Sequence, residues 1–221
     1  PLRHADGRLA TVQAIFPDKP ADGRDKDFLK GGTTKGAHFV MGDLHTADTV
    51  VIAEGYATAA TLHEATGYAA VMAIDAGNLR PVAEILKTLH PAKRFIIASD
   101  NDAKPDGTNP GVKAATATAK AIKAALAIPE FAEGEAGSDW NDYAALHGLD
   151  AVREAIEQTA QTTKSTGQAK AERQQVEAER AVTIRCIPGE LPEMADKAES
   201  ALCKHESNFY QRSGQLVRWC V

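Results

Sequence analysis

Two hydrophobic patterns alternate along the middle of the chain. Continuous apolar runs rich in β-branched residues lie at 49–53, 69–74 and 95–98. Such runs are typical of strands that are buried on both faces of a sheet. Segments of helical composition come between and after them, at 56–66, 81–89 and 111–127. This alternation of strand and helix predicts an α/β domain with a mainly parallel sheet flanked by helices.

A fourth strand and two further helices complete the predicted domain. The strand is placed at 128–131, where Pro129 restricts it to a sheet edge or makes it short. Pro81 suits the first turn of the helix at 81–89. Helices are expected at 140–147 and 150–160. The result is a four-stranded sheet, for which we expect the strand order 2-1-3-4.

The two ends of the chain have a different pattern. Short strands at 8–16, 28–32 and 37–42 and turn-rich sequence between them predict a small β-rich unit. Polar sequence of low periodicity follows the α/β domain and is typical of a linker. After it, strands at 182–186, 208–211 and 215–220 and a helix at 190–204 predict a small α+β unit. The predicted domains are therefore 1–44, 45–160, 161–181 (the linker) and 182–221.

Composition limits the classes of protein that this chain can belong to. Of its 221 residues, 43% are hydrophobic and only 5% aromatic, so alanine and aliphatic side chains must fill the core. No apolar run approaches the length of about 18 residues that a membrane span needs. Three cysteines without a secretory leader indicate reduced thiols and a cytoplasmic protein. Because the sequence starts at Pro1 and ends in what reads as an unfinished strand, we expect an excised piece of a longer protein.

The net charge of −5 is unevenly distributed. Residues 45–160 hold nine basic and sixteen acidic residues, whereas residues 1–44 carry a net charge of +1. A polyanion that approaches this acidic middle needs either a divalent cation or a separate basic surface.

Carboxylates directly follow two of the buried strands. Glu54 comes after the first strand, and Asp100 and Asp102 come after the third. In open parallel sheets, ligands bind beyond the carboxyl ends of the strands. The order 2-1-3-4 makes the first and third strands neighbours, so the three carboxylates should share one crevice. Their mutual repulsion favours a hard divalent cation, Mg²⁺ or Mn²⁺. Taken singly, each acid is also compatible with an ordinary exposed strand end or turn.

Lysines and glycines offer candidate contacts for phosphate. Lys30 and Lys35 lie in a Gly-rich stretch, 29–36, whose backbone amides could cradle an anion, although a hairpin turn explains the same residues. Lys104 and Lys113 flank the acidic crevice. Gly55 lets the chain turn into a helix whose N-terminus favours anions.

Three motifs carry a resemblance to a known family. Residues 51–59, with Glu54-Gly55, and residues 96–102, with Asp100-Asn101-Asp102, resemble the two signature motifs of TOPRIM domains. Residues 138–142, with Asp139-Trp140-Asn141-Asp142, resemble the later acidic motif of the same group. The variety most similar is that of phage, prophage and plasmid DNA primases and primase-helicases. The resemblance covers residues 45–160, and residues 8–42 look like the β-rich N-terminal part of a primase core.

The resemblance implies a fold, an activity and roles for individual residues. The fold would be a TOPRIM domain, and the activity metal-dependent synthesis of RNA primers on single-stranded DNA from ribonucleoside triphosphates. Glu54 would act in proton transfer or bind a second metal ion, and Asp100 and Asp102 would be metal ligands. Asp139 and Asp142 would support them. Partners would be the template strand and a replicative helicase module in the same or another chain.

Other functions remain open from the sequence. A TOPRIM nuclease would use the same acids to cut phosphodiesters, and an inactive domain would only bind DNA or dock a helicase. A phosphatase with Asp100 as nucleophile is disfavoured by Lys104, because that class wants Thr or Val at this position of its motif.

Overall fold

The computed structural model describes residues 1–16, 23, 26–104, 106–161, 209–212 and 215–218. The chain divides into two compact units, Pro1–Lys164 and Ser165–Val221. The first unit contains the predicted α/β domain. No helix within the described residues is both long and apolar enough to cross a membrane.

Four short strands open the first unit. They are β1 (Leu2–Arg3), β2 (Leu9–Thr11), β3 (Gln13–Ile15) and β4 (Lys26–Phe28). β1 pairs antiparallel with β2, and β3 pairs antiparallel with β4. The single strand predicted at 8–16 is therefore wrong, because the chain leaves one ladder at Val12, whose carbonyl accepts a hydrogen bond from the amide of Leu29 (2.9 Å). The strand predicted at 28–32 lies earlier, at Lys26–Phe28.

A mixed five-stranded sheet forms the centre of the unit. Its strands are β5 (Phe39–Met41), β6 (Thr49–Ala53), β7 (Ala69–Met72), β8 (Arg94–Ala98) and β9 (Ala125–Ala127), in the order β5-β7-β6-β8-β9. Four of them are parallel, and β5 pairs antiparallel with β7 at one edge. The α/β class and the order 2-1-3-4 are confirmed for β6 to β9. The additional strand, β5, was predicted in the N-terminal unit.

Within the described residues, five helices accompany the sheet. They are α1 (Tyr56–Thr66), α2 (Ala76–Leu89), α3 (Pro110–Ile122), α4 (Trp140–His147) and α5, described over 149–161. The predicted bounds of α1 and α4 are confirmed, and α5 begins one residue before its predicted start. α1 ends at Gly67, which adopts φ +68.

Three predicted boundaries are wrong. α2 begins five residues before Pro81, because Asp75 caps its N-terminus by accepting a hydrogen bond from the amide of Asn78 (2.9 Å). The fourth parallel strand occupies Ala125–Ala127 rather than 128–131. The helix predicted over 111–127 is also too long, because α3 ends at Ile122, its C-cap Lys123 has φ +55, and the next alanines enter the sheet.

Alternate residues of the strands pack on opposite faces of the sheet. Val51, Ala70 and Ile96 contribute to one core with α1 and α5, whereas Val50, Val71 and Ile97 contribute to another with α2 and α3. All of these residues are at most 1% exposed. This three-layer packing explains the continuous apolar runs of the sequence, since both faces of each strand are covered.

The second unit is described only over an antiparallel hairpin. Its strands are β10 (Phe209–Arg212) and β11 (Gln215–Arg218). These strands confirm the two predicted near 208–211 and 215–220. The predicted strand at 182–186, the helix at 190–204 and all but the first residue of the linker lie outside the described residues.

Candidate active site

The register of the sheet places the acids of two motifs side by side. Ala53, the last residue of β6, pairs with Met72 on one side and with Ala98 on the other. Glu54 follows this row by one residue and Asp100 by two. Neighbouring strands are about 4.8 Å apart, so these carboxylates leave the sheet into one crevice at its carboxyl edge. Because β6 and β8 are neighbours in the sheet, Glu54 and Asp100 lie close together, as predicted.

Glu54 occupies a tight and partly buried position. Its Oε1 atom is inaccessible to solvent and has no hydrogen-bond partner among the described residues. The first turn of α3 lies against it, since a methyl group added at Gly111 would stand 3.3 Å from Oε1. Burial and, after it, the negative charges of Asp100, Asp75 and Asp102 together raise the pKa of Glu54 to about 7. Glu54 is therefore a carboxyl group that exchanges its proton near neutral pH.

Asp100 is the second acid held close to neutrality. Burial is the largest cause and the charge of Asp139 the next, and together they raise its pKa to about 6. The Thr58 hydroxyl, in the first turn of α1, lies 3.5 Å from a carboxylate oxygen of Asp100 and 3.5 Å from one of Asp139. A single hydroxyl proton cannot satisfy both acceptors, so Thr58 bridges the pair without neutralising it.

The last motif divides its two acids between different tasks. Asp139 caps the N-terminus of α4, accepting a hydrogen bond from the amide of Asp142 (2.8 Å), and its other oxygen faces Thr58. Asp142 instead accepts two hydrogen bonds from Ser138, one from its amide (2.9 Å) and one from its hydroxyl (3.3 Å). Asp142 therefore bonds the residue before the N-cap, and Asp139 alone caps the first turn of α4. Asp139, and not Asp142, is the acid directed at Asp100.

Backbone and amide contacts hold the loop of Asp100 and Asp102 in place. The amide of Asn101 donates to the carbonyl of Ser138 (2.6 Å), and its side chain donates to the carbonyl of Pro129 (3.0 Å). The cap residue of α3, Asn109, donates to the side chain of Asn101 (3.1 Å). Asp102 itself is exposed, and its charge acts on both Glu54 and Asp100. Asn101, the motif residue between the two aspartates, therefore has a structural role: it fixes the loop that carries them.

Three residues near the acids were missed by sequence reasoning. Thr58 sits one helical turn after Glu54, and a lone threonine in a helix carries no recognisable pattern. Asp75 reaches the crevice because Ile74 turns the chain at φ +82, a conformation that no sequence rule assigns to isoleucine. Lys26 lowers the pKa of both Glu54 and Asp100 by its positive charge. Its position after a turn-rich loop gave no reason to single it out.

The basic residues chosen from the sequence are all exposed to solvent. Lys30 and Lys35 are exposed on the segment between β4 and β5, and Lys104 and Lys113 are exposed before and within α3. Gly55 is the N-cap of α1, which has neither a side-chain cap nor an acidic residue in its first turn. That end of α1 is accordingly open to an anion.

The chemistry of the donor set fits a hard divalent cation. Carboxylate oxygens converge, one buried oxygen lacks a partner among the described residues, and two pKa values are raised, first by burial and then by nearby like charge. Within the described residues, no three His, Cys, Asp or Glu side chains already stand at the separations of a formed metal site.

Comparison with known proteins agrees with the motifs. Residues 49–150 match the Toprim domain family. Two curated relatives, each a DNA primase TraC from Escherichia coli, are 42% and 39% identical over 141 residues, or 61% of this chain. The chain spans only 13% and 9% of the length of these two relatives.

Two solved structures are also similar. One is the DnaG primase catalytic domain bound to single-stranded DNA, at 17% identity and a TM-score of 0.44, covering 71% of this chain and 55% of that one. The other is the DnaG catalytic core, at 15% identity and a TM-score of 0.48, covering 92% and 63%.

Proposed function

Residues 49–150 of this chain are a Toprim domain, and from that premise we propose that the chain is the catalytic part of a plasmid- or phage-type DNA primase. It would join ribonucleoside triphosphates into RNA primers on single-stranded DNA. The observation that carries the proposal is the convergence of Glu54, Asp100 and Asp139 at one edge of the sheet. The relatives named DNA primase support the polymerising direction over a nuclease.

The acids have different proposed roles. Asp100, Asp102 and Asp139 would hold the divalent ion, with Asp142 supporting them through the cap of α4. A bound Mg²⁺ or Mn²⁺ would neutralise phosphate charge and stabilise the charge that develops during transfer. Glu54 would take the proton of the attacking 3′-hydroxyl, since a general base works best with a pKa near the operating pH. Its pKa of about 7 suits that role.

Positive charge for the triphosphate would come from lysines of the N-terminal unit and from lysines beside the acidic crevice. Lys26 is the best placed, because its charge already acts on both Glu54 and Asp100. Lys30, Lys35, Lys104 and Lys113 would extend this basic surface along the phosphates or the template. The open N-terminus of α1 at Gly55 would add backbone donors. A helicase module, in the same or another chain, and a cytoplasmic location complete the proposal.

Primer synthesis tests the proposal directly. The chain is incubated with single-stranded DNA, labelled ribonucleotides and Mg²⁺ or Mn²⁺, and products are sized on a gel. Glu54→Gln should lower the rate by about 10²–10⁴-fold, the usual contribution of a general base. The control Glu64→Gln changes an exposed glutamate of α1 and should leave the rate unchanged. Cleavage of the DNA without primers would point to the nuclease, and equal rates for the two variants would refute the role of Glu54.

A further inference from the structure

An exposed aromatic side chain stands two residues after Glu54. Tyr56 is 47% exposed, although it begins α1 beside the buried core. By contrast, Phe95 is 5% and Trp140 2% exposed. Tyr56 thus presents an exposed ring two residues from Glu54, where it is accessible to a ligand of the acids.

Phe39 supports Tyr56 from the neighbouring part of the sheet. The two ring centroids are 6.1 Å apart, with their planes inclined by 35°. Phe39 pairs with Met72, and Met72 pairs with Ala53, so Phe39 belongs to the row that ends the sheet at its carboxyl edge. This aromatic pair, Tyr56 and Phe39, is partly stacked, which limits the directions in which the tyrosine ring can turn.

The aromatic pair lies on one side of the acids. Along the carboxyl edge, the strand order puts Phe39 on β5, then β7, then Glu54 after β6, and finally Asp100 after β8. The acids that would hold a cation are thus toward β8, and the exposed ring is toward β5. A nucleotide whose phosphate is held at the acids can extend its base toward the ring.

We propose that Tyr56, backed by Phe39, is a stacking platform for a nucleobase. The ligand is the flat, uncharged face of a base, from either an unpaired template strand or an incoming ribonucleoside triphosphate. Stacking on aromatic side chains is tolerant of base identity because every base has a π-face. The inference deepens the proposed function and rests on it, because it takes the adjacent acids as the site of the phosphates.

Oligonucleotides with and without bases test this platform. Binding of a single-stranded deoxyoligonucleotide and of an abasic oligomer of the same length is measured for the wild type, Tyr56→Ala, Tyr56→Leu and Tyr56→Phe. Tyr56→Leu keeps an apolar contact with Phe39, so it separates stacking from folding. A second arm compares ATP with ribose 5-triphosphate in the presence of Mn²⁺, which distinguishes the template base from the incoming one. Thermal melts of each variant check that it is folded.

The expected result is a loss that depends on the base. Tyr56→Ala and Tyr56→Leu should weaken binding of the base-bearing ligand by about 5-fold to 100-fold, the range for loss of one stacked base. Tyr56→Phe should stay within about 2-fold, and the base-free ligand should bind all four proteins alike. Equal affinities of wild type and Tyr56→Ala in both arms would overturn the platform, and so would losses that are the same with and without bases. A wild type that binds none of these ligands would overturn both the platform and the proposed function. A base-dependent loss without primer synthesis would keep the platform and refute only the polymerising activity.

Discussion

Protonation of Glu54 couples the site to pH. In the folded chain its pKa is about 7, against 4.5 as the ordinary value. The folded state therefore holds this proton more tightly than the unfolded state, and the stability linked to it is fully present below pH 4.5. That stability is lost as the pH rises toward 7, where Glu54 must ionise among Asp100, Asp75 and Asp102.

Thermal melts of metal-free protein between pH 4.5 and 8 should show this coupling. The advantage of Glu54→Gln over wild type should be small near pH 4.5 and grow until about pH 7, because the amide does not ionise. We expect a difference of roughly 1–2 kcal/mol, once solvent screening of this partly exposed group is allowed for. Other acids, such as Asp43, have lowered pKa values and act in the opposite sense below this range. They affect both proteins alike, so a constant difference across the range would contradict the coupling.

The two aspartates of the last motif should separate in their effects. Asp139→Asn keeps an N-cap residue, since Asn caps as well as Asp, but removes charge beside Asp100. It should weaken Mn²⁺ binding with little change in the metal-free melting temperature. Asp142→Ala removes both hydrogen bonds from Ser138 and should cost about 1 kcal/mol of stability, with a smaller effect on the metal. Calorimetric titration with Mn²⁺ and thermal melts measure both quantities, and the reverse assignment of effects would make Asp142 the ligand.

At the scale of elements, the first turn of α3 fixes the space available to Glu54. Gly111 lies there, and a methyl group at this position would stand 3.3 Å from Oε1 of Glu54 and 3.8 Å from the carbonyl oxygen of Asp100. The helix itself would gain from a better helix former than glycine, by about 0.5–1 kcal/mol. An alanine at position 111 would therefore stabilise the helix but would crowd Glu54.

Gly111→Ala should accordingly preserve or raise the melting temperature while it lowers kcat for primer synthesis by about 10-fold or more, because displacement of a catalytic group by even 1 Å is costly. Thr116→Ala is the matched control, since it also raises helix propensity in α3 but changes an exposed side chain. A Gly111→Ala variant with wild-type kcat would show that Glu54 has more room than its surroundings suggest.

Some element boundaries could be predicted from the sequence and others could not. The bounds of α1 and α4 were predictable, because Gly67 ends one helix and Asp139 caps the other. The position of β9 was not, because an alanine-rich sequence favours a helix by propensity, whereas Ala125–Ala127 form a strand in the sheet. Only the left-handed conformation of Lys123 separates the two elements.

For the candidate site, too, some contacts could be predicted from the sequence and others could not. That Glu54 and Asp100 meet could be predicted, because the order of parallel strands brings their carboxyl ends together. The contributions of Thr58, Asp75 and Lys26 could not, since each depends on a contact between distant segments or on the unusual backbone of Ile74. The choice between Asp139 and Asp142 likewise needed the cap of α4.

For the whole molecule, the central claim is that the carboxylates at the end of the sheet form one divalent-metal site. Calorimetric titration of the 221-residue chain with Mn²⁺ at pH 8 tests it most directly, because Glu54 and Asp100 are both ionised there. Asp48→Asn is the control. It neutralises an exposed aspartate just before β6, at the amino ends of the parallel strands and therefore away from the acids. The prediction is that wild type and Asp48→Asn bind Mn²⁺ with the same affinity and that Asp100→Asn binds at least about 10-fold more weakly, as expected when one ligand charge is removed. Absence of binding by the wild type, or equal affinities for wild type and Asp100→Asn, would contradict the claim.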